Sequence, residues 1–373
     1  MACALGLAQQ GLQVALIGPR TEPHRFSDAE PFDARIYAVA PATVTLLQRI
    51  GVWNRVDAAR TCNVERMLVR GDRGDTLTFD AYASGVELLA TIVEESELVR
   101  VLDAACDFQP SIARLPGAFD GLECGDLAAV RLDDGTSLRA RLVVGADGGN
   151  SSARAAAGLN ATVTDYRQAA VVCNFASSRP HLNVARQWFT GVGVIALLPL
   201  PDDHLSLVWS APSALAGDLG QLDAASLARR VSEQVGDSEA GALSAAGRVL
   251  GFPLRLIVVD RLIAPRLVLV GDAAHVVHPL AGQGLNLGLQ DVAALLEVVR
   301  AREAFRDIGD TVLLRRYERN RAEPIALMRA ATDGLARLFG IDDPLARLLR
   351  NSGMTVLDKL APLKSLLIRQ ALG

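Results

Sequence analysis

The sequence predicts an α/β fold with a three-layer domain built on a mainly parallel sheet, a second domain with an antiparallel sheet, and a helical C-terminus. Two apolar strands, Leu142–Val144 and Leu267–Val270, each run into a glycine-acid turn and then a helix, as strands of α/β sheets do. Between Ala169 and Trp209, short β-rich segments separated by Pro and Gly turns favour an antiparallel sheet. From Leu285 onward the pattern is helical.

The length of the chain fits two interleaved domains better than one core. Its 373 residues exceed the roughly 100 to 200 residues of an ordinary domain. Half of the residues are hydrophobic and 21% are charged, which indicates a compact globular protein. We assign 1–70, 91–165 and 250–330 to the three-layer domain, 71–90 and 166–249 to the antiparallel-sheet domain, and 331–373 to C-terminal helices.

The charge and cysteine content argue against several classes of protein. A formal net charge of −4 offers no basic face, so no nucleic-acid partner is expected. The cysteines form no CxxC pair, so neither a disulfide framework nor a metal site is predicted, and a reducing cytoplasm is the expected compartment. Neither a run of about 20 apolar residues nor a secretory signal pattern is found, so no membrane span is predicted. The cysteines are Cys3, Cys62, Cys106, Cys124 and Cys173.

The first residues are typical of the second half of a βα unit. Small residues from Met1 to Gln10 predict a helix closed by Gly11, and Leu12–Ile17 then predicts a buried strand. A βα unit that carries a parallel sheet begins with a strand, but no strand precedes this helix. We therefore expect part of the fold to be missing at the N-terminus.

The next elements alternate between helices and strands. Ala42–Ile50 predicts a helix that ends at Gly51. Thr91–Ala105 has helical spacing, with acids in its first half. Between these two, Arg66–Phe79 alternates as exposed strands do around the turn from Gly71 to Gly74.

A hairpin then leads into the β-rich part of the chain. Ala128–Leu132 and Ser137–Val144 flank the turn Asp133-Asp134-Gly135. Ala224–Ala245 has a helical pattern. The β-rich segments that favour the antiparallel sheet are Ala169–Phe175, Ala185–Phe189, Val194–Leu200 and Leu205–Trp209.

The first candidate site follows the strand Leu267–Val270. Gly271 lets the backbone approach a ligand, and Asp272 can accept a hydrogen bond from a sugar-like hydroxyl. Open α/β sheets bind ligands outside the carboxyl ends of such strands. The alternative is that Asp272 caps a helix.

The helix that follows favours the ligand-binding interpretation. Gly282 and Gly284 flank Gln283 at its start, so its N-terminus points towards the contacts of Asp272. Free N–H groups there suit negative charge on a ligand, and Pro279 would bring main chain alongside it. The apolar stripe of this helix is Leu285, Leu289, Val292, Leu296 and Val299.

A second strand end has the same order of elements. Gly145 is followed by Asp147 and Gly148, and Ser151 then opens a short helix that contains Arg154. By itself this pattern is weak, because an Asp-Gly turn before a Ser-capped helix is common in α/β proteins.

Three polar residues each allow two interpretations. Arg35 lies in an apolar run before a helix, where it forms either a surface salt bridge or a contact with a ligand phosphate or sugar chain. His275 and His278 could ligate a metal, but no ligand spacing supplies their partners. Loop or core histidines are therefore the favoured interpretation.

Together these segments resemble the para-hydroxybenzoate-hydroxylase-like flavin monooxygenases, and more closely their ubiquinone-biosynthesis branch, along essentially the whole chain. Gly271–His275 with His278–Asp291 is similar to the signature of that branch. Gly145–Gly148, with Ser151 and Arg154, is similar to a motif that serves both FAD and nicotinamide nucleotide. The resemblance implies that the cofactor is bound by Arg35, Asp147, Gly148, Gly271, Asp272, Pro279, Gly282, Gln283, Gly284, Leu285 and Asn286.

The resemblance also implies a fold and a reaction. The three-layer domain would be an FAD/NAD(P)-binding Rossmann-like domain, and the antiparallel sheet would bind the substrate. NAD(P)H would reduce FAD, and one oxygen atom of O2 would be transferred to the aromatic ring of a polyprenylated phenol or quinol. The cofactor supplies the chemistry, while the protein positions it and excludes water. No Ser-His-Asp or paired-carboxylate pattern is present, so no catalytic residue is assigned.

Two motifs of the family differ at the N-terminus. The family begins with a strand and a Gly-x-Gly-x-x-Gly turn, whereas this chain starts just after the position of the last glycine. The family also ends its second strand with an acid for the adenosine ribose, but Ile17 is followed by Gly18-Pro19-Arg20. We expect an N-terminally truncated domain in which Met1 is a mis-assigned start or the edge of a fragment. An in-frame stop codon directly before Met1 would contradict this expectation.

The C-terminal tail and the function each leave alternatives open. Leu335–Gly373 mixes apolar and basic residues; a packed helical pair is favoured, and peripheral contact with the inner membrane or with a biosynthetic complex is the alternative. The function could instead be that of a soluble phenol hydroxylase of aromatic catabolism. A flavin-free accessory protein of the same fold is the third interpretation. The basic residues of the tail are Arg347, Arg350, Lys359, Lys364 and Arg369.

Overall fold

Helices and short strands alternate through most of the chain, and two longer helices end the described part. A computed structural model describes residues 1–20, 26–27, 30–71, 76–236, 240–278 and 283–340. Short 3₁₀ turns cover Trp53–Arg55, Ala58–Arg60, Tyr82–Ser84 and Gly271–Ala273. The helices in these residues are α1 Ala2–Gln9, α2 Pro41–Arg49, α3 Glu95–Asp107, α4 Ser152–Ala156, α5 Ser213–Gly220, α6 Ala224–Val235, α7 Gly284–Arg300 and α8 Thr311–Gly340.

The strands of the described residues form one large sheet and four small ones. The strands outside the large sheet are β1 Val14–Ile17, β2 Ile36–Val39, β3 Thr61–Val64, β6 Ala90–Glu94, β7 Ile112–Leu115, β8 Phe119–Cys124, β9 Ala128–Leu132, β10 Ser137–Ala140, β11 Val143–Gly145, β18 Ile263–Ala264 and β19 Leu267–Leu269. Those of the large sheet are β4 Arg66–Arg70, β5 Thr76–Asp80, β12 Ala161–Ser177, β13 Val184–Thr190, β14 Gly193–Leu200, β15 His204–Pro212, β16 Leu243–Ala245, β17 Leu250–Val259 and β20 His275–Val276.

Parallel pairing occurs in two of the small sheets. β1 pairs with β7, and β11 pairs with β19, which also carries β18 as an antiparallel neighbour. The predicted helix at the N-terminus and the strand after it are confirmed as α1 and β1. β1 is half-buried rather than buried, because within the described residues it has a strand neighbour only on the β7 side.

The predicted antiparallel sheet is confirmed as the nine-stranded sheet, in which β4 and β13 are parallel and all other pairs are antiparallel. Its order is β20-β17-β12-β15-β14-β13-β4-β5, and β16 pairs with β12 beside this row. All four β-rich segments of the sequence lie in it as β12, β13, β14 and β15. The hairpin predicted around residues 133–135 is also present, as β9 and β10.

The sheet extends beyond the ranges that the sequence pattern assigned to it. β4 pairs with β13, and β17 pairs with β12 along most of its length, although both had been placed in the three-layer domain. Which sheet a strand joins is decided by backbone pairing with strands that are distant in sequence. A local hydrophobic pattern does not predict such pairing. We propose that β4 and β17 be counted with the antiparallel-sheet domain.

Two helix predictions were too long. The segment predicted as a helix from Thr91 begins as strand β6, and α3 starts only at Glu95. β6 lies between β2 and β3 and pairs with both, which outweighs its helical spacing. The helix predicted to reach Ala245 ends at Val235 as α6, and β16 follows at Leu243–Ala245.

The core around α7 joins the small parallel sheets to the helices. Leu289, Val292, Leu296 and Val299 of the predicted stripe are buried, and Leu285 packs partly against the same core. The predicted helical C-terminus is confirmed as far as residue 340, while 341–373 lie outside the described residues. In the part of the chain that the structure describes, no helix is both long and apolar enough to span a membrane.

Candidate functional site

The two strand ends that the sequence singled out lie side by side. β11 and β19 are parallel, with Gly145 opposite Leu269. The backbone N–H of Val270 donates to the carbonyl oxygen of Gly145 at 3.0 Å. Because parallel strands end at the same edge of a sheet, the turn after Gly145 and the turn that begins at Gly271 form one surface.

Arg154 ties these two turns together. Its side chain is buried and donates to the carbonyl oxygen of Ala273 at 2.9 Å and to that of Gly149 at 2.8 Å. The hydroxyl of Ser151 accepts from the backbone N–H of Arg154 and so caps α4, as the sequence predicted. The sequence named Arg154 only as part of a motif, and only the tertiary structure shows that it joins the two turns.

Asp147 and Gly148 lie at the open side of the turn that follows Gly145. The carboxylate of Asp147 accepts from the backbone N–H of Ala153 at 2.9 Å, so it also stabilises the start of α4. Asp147 is exposed to solvent. Gly148 has a φ of +83°, which disfavours other residues, and a Cβ atom there would meet nothing within 4 Å. The backbone at Gly148 is therefore open to a ligand.

Asp272 is the polar side chain of this surface that has no hydrogen-bond partner among the described residues. In the described part of the chain no group donates a hydrogen bond to it, so the interpretation as a helix cap is wrong. Desolvation by surrounding protein atoms raises the pKa of Asp272, whereas His275, Arg35 and Arg255 act to lower it. Since Asp272 is nevertheless exposed, its carboxylate lies at the surface, among the protein atoms that desolvate it, and this position is called the recess below.

The positive charge of Arg35 acts to lower the pKa of Asp272. Arg35 also forms the surface salt bridge that was its alternative interpretation, with 3.0 Å between its guanidinium and the Glu95 carboxylate. The Tyr37 hydroxyl donates to the same carboxylate at 3.1 Å. Burial is the main cause that raises the pKa of Tyr37, and Glu95 adds to it. The Arg35 guanidinium lies 4.8 Å from the centre of the Phe252 ring.

The start of α7 is fastened to β2 and α2 by Asn286. Its buried side-chain amide accepts from the N–H of Ala40 at 2.9 Å and donates to the carbonyl oxygen of Ala38 at 2.8 Å. Gln283 adds a weaker contact at 3.4 Å. The side chain of Asn286 is therefore hydrogen-bonded mainly to the backbone of residues 38 and 40. Gly284 and Leu285 are half-buried at the helix start, while the predicted site residues Pro279 and Gly282 lie outside the described residues.

Both histidines of this region are buried and hydrogen-bonded. Nε2 of His275 lies 2.7 Å from a carboxylate oxygen of Asp291, and Nε2 of His278 lies 3.1 Å from the side-chain oxygen of Gln168. The ring of His278 also packs edge-on against Tyr166, with 4.8 Å between the ring centres. Within residues 1–340, apart from the undescribed gaps, no group of three potential ligands could hold a metal ion.

The sequence did not identify the acid that binds His275. Asp291 is fully buried in α7 and is also paired with Arg321 of α8, 2.6 Å away. Tyr317, one helical turn before Arg321, donates to the carbonyl oxygen of Leu269 at 2.8 Å. The sequence did contain one signal for this pair: Asp291 is an acid directly beside the apolar stripe of α7. An acid buried at such a position needs a partner of opposite charge.

A cavity of about 330 Å³ lies on α8, separate from the recess of Asp272. It touches His275 and Ala274 but neither Asp272, Arg35 nor Asp147. Its other lining residues, mostly aliphatic, are Leu256, Ile257, Val258, Val259, Asp260, Arg261, Leu262, Val277, Glu318, Ala322, Ile325, Ala326 and Arg329.

α7 packs against the turn at Gly271 so closely that a side chain does not fit. A Cβ atom at Gly288 would lie 3.0 Å from the Cα of Gly271. We expect Gly288→Ala to lower the free energy of unfolding by about 1 to 3 kcal/mol, because the helix must move away from the turn. Urea unfolding measures the change.

The matched control is Gly217→Ala, in the exposed part of α5. A Cβ atom at Gly217 would meet nothing within 4 Å, so we expect a gain of up to about 1 kcal/mol from helix propensity. Equal stability of the two variants would contradict the close packing of α7 on Gly271.

Comparisons with known proteins agree with the resemblance. Residues 1–331 match the family model for the FAD binding domain. The chain is 35% identical to 3-demethoxyubiquinol 3-hydroxylase of Escherichia coli, over 100% of this chain and 95% of that protein. It is also 35% identical to the ubiquinone hydroxylase UbiL of Rhodospirillum rubrum, over 100% of this chain and 86% of that protein.

Solved structures share the fold. PqsL, a probable FAD-dependent monooxygenase from Pseudomonas aeruginosa, superposes with a TM-score of 0.76 at 24% identity, covering 95% of this chain and 96% of PqsL. At that identity the likeness shows the fold alone. The family model and the relatives decide the rest: this chain belongs to the FAD binding domain family and, within it, to the FAD-dependent hydroxylases of ubiquinone biosynthesis.

Proposed function

We propose that this protein hydroxylates the aromatic ring of a prenylated phenol or quinol in ubiquinone biosynthesis. The balanced reaction is ArH + O2 + NAD(P)H + H⁺ → ArOH + NAD(P)⁺ + H2O. The observation that carries the proposal is similarity along the whole chain to two enzymes named for hydroxylation in that pathway. The monooxygenase class follows from the family, whereas the substrate is inferred from what those relatives are named for.

We propose that Asp272 is the main polar contact for FAD. A carboxylate in a recess, without a hydrogen-bond donor among the described residues, suits the hydroxyl groups of a ribityl chain. Gly271 would let the backbone approach the same group, and Arg35, whose positive charge acts on Asp272, would bind a phosphate or ribityl oxygen. The residues present therefore fit this half of the cofactor.

The other proposed FAD contacts are made mainly by backbone. The N–H groups of Gly284 and Leu285 at the start of α7 suit the electron-rich end of the flavin ring. Asn286 would act by holding this helix start in place, since its side chain is bound to Ala38 and Ala40. Gln283, Asp147 and Gly148 complete the set within the described residues, and Pro279 and Gly282 stay predictions.

We place the substrate on the nine-stranded sheet, where it meets the turn of Asp272. β17 pairs with β20 next to that turn, and Gln168 of β12 contacts His278. Bound FAD supplies the redox chemistry and the activation of O2. The contribution of the chain is to orient the flavin against the substrate and to exclude water between the sheet and α7. Peripheral membrane contact stays a prediction that rests on residues outside the described part.

The purified protein tests the proposal in two steps. We expect FAD binding, seen as flavin absorbance near about 450 nm. With O2 present, we expect NAD(P)H oxidation coupled to one hydroxylated product from a short-chain prenylphenol, confirmed by mass spectrometry. Faster coupled turnover of hydroxybenzoate than of the prenylphenol would favour the catabolic alternative. A protein that also carries the family's N-terminal strand and Gly-x-Gly-x-x-Gly turn and still stays colourless with added FAD would favour the accessory-protein alternative.

A further inference from the structure

A fully buried carboxylate lies directly behind the turn that carries Asp272. One oxygen of Asp291 accepts from the backbone N–H of Gly271 at 2.9 Å and from Nε2 of His275 at 2.7 Å. Its other oxygen accepts from Nε of Arg321 at 2.6 Å. Asp291 is 0% exposed, and a buried carboxylate is tolerated only when it is paired and hydrogen-bonded in this way.

The same oxygen holds both ends of a short segment. Gly271 directly precedes Asp272, and His275 follows it by three residues, so the turn is closed from behind by one acceptor. Because a carboxylate only accepts hydrogen bonds, Nε2 of His275 carries the hydrogen. Gly271 has a φ of +61°, so its backbone conformation also depends on the absence of a side chain.

Arg321 reaches this site from α8. Its guanidinium is buried, and it also donates to the carbonyl oxygen of Leu287 at 3.3 Å. It supplies the positive charge that offsets the charge of Asp291, so the carboxylate can keep accepting from the turn. The described C-terminal helix is in this way connected to the turn at the candidate FAD site.

We infer that Asp291, neutralised by Arg321, is a positioning residue that holds the Gly271–His275 turn so that Asp272 faces FAD. The inference rests on the proposed contact between Asp272 and FAD. Asp291 bonds to the turn and not to the recess, so we expect it to act mainly through the position of Asp272. Loss of Asp291 should therefore weaken FAD binding much less where Asp272 has already been replaced.

Asp291→Asn tests the inference, because it keeps the shape of the side chain but replaces one carboxylate oxygen by an NH2 group. That group faces N–H donors and cannot accept a hydrogen bond from them. We expect the Kd for FAD to rise about 10- to 100-fold, since a charge-assisted contact is lost at the turn. The visible circular dichroism of bound FAD should also change, because the ring and ribityl chain shift relative to the protein. In an Asp272→Asn background, the further effect of Asp291→Asn should fall below about threefold.

Tyr317→Phe is the control for a merely structural role. It removes one buried hydrogen bond, from Tyr317 of α8 to Leu269, and does not touch the turn. Arg321 lies in the same helix as Tyr317. We expect it to lower the melting temperature and to leave both the Kd for FAD and the flavin spectrum unchanged. Should Asp291→Asn fail to fold, His275→Gln, which keeps an N–H donor, should bind FAD more tightly than His275→Leu.

The outcomes separate this inference from the proposed site. An Asp291→Asn protein that loses stability but keeps the wild-type Kd for FAD overturns the positioning role. So does an equal effect of Asp291→Asn with and without Asp272, or equal FAD binding by the two His275 variants. An Asp272→Asn protein with an unchanged Kd overturns the FAD contact itself.

Discussion

Asp272→Asn should weaken FAD binding on the order of 10- to 100-fold, the effect of losing a hydrogen bond to a charged acceptor. The same substitution should make the FAD-free protein more stable at neutral pH. Desolvation raises the pKa of Asp272 above its ordinary value of 3.8, so the charged carboxylate is held at a cost until a ligand binds it. FAD titration by fluorescence and urea unfolding of the apoprotein measure the two effects.

The pH dependence gives this prediction a sign. Because the folded protein holds the Asp272 proton more tightly than the unfolded chain does, the free energy of unfolding falls as pH rises from 3.8 to the raised pKa. Asp272→Asn removes that fall. A variant whose apoprotein shows the wild-type pH slope, or whose FAD affinity is unchanged, would contradict the prediction.

Asp223 provides a control of the opposite sign. It caps α6, and the hydrogen bond from the N–H of Ser226 lowers its pKa. Asp223→Ala should therefore destabilise the protein at neutral pH. The difference in stability from the wild type should shrink as the pH falls through the lowered pKa. Because α6 packs on the large sheet away from the Asp272 turn, FAD affinity should stay unchanged.

Arg154→Met should be the most destabilising of the proposed substitutions, at about 3 to 5 kcal/mol. It keeps an apolar chain of similar reach but leaves the carbonyl oxygens of Ala273 and Gly149 without their charged donor. Since both site turns lose their connection, FAD affinity should fall as well. The urea midpoint reports the stability, and fluorescence titration reports the affinity.

Arg230→Met is the matched control for Arg154→Met. Arg230 forms an exposed pair with Glu233 at 3.1 Å on α6, and such a pair contributes less than about 1 kcal/mol. A loss at Arg154 no larger than that at Arg230 would show that the two turns hold together without the guanidinium.

Much of the fold could be predicted because its signals are local. The predicted strands β12, β13, β14 and β15 lie in segments bounded by Pro and Gly turns, and the apolar stripe of α7 follows from residue spacing. The strand at β6 was missed because its pairing with β2 and β3 is not local. The same reason placed β4 and β17 outside the large sheet.

The candidate site was predictable as a set of turns and not as a set of contacts. The glycine-acid turns at Gly145 and Gly271 were recognised, and the resemblance supplied their function. A surface salt bridge of Arg35 was one of its two interpretations, but its partner Glu95 was not identified. Nor were the backbone partners of Asn286 and the pair of Asp291 with Arg321, since each of these contacts joins residues at least 30 positions apart.

The sequence by itself determined the α/β class, the two strand-turn-helix units and the family to which their motifs belong. The physical reason is that turn residues and hydrophobic periodicity act within one element, where residue order alone carries the information. Only the tertiary structure decided that Arg154 joins the two turns and that Asp291 hydrogen-bonds Gly271 and His275 on either side of Asp272. Buried charges find their partners across elements, so their roles appear only when the chain is folded.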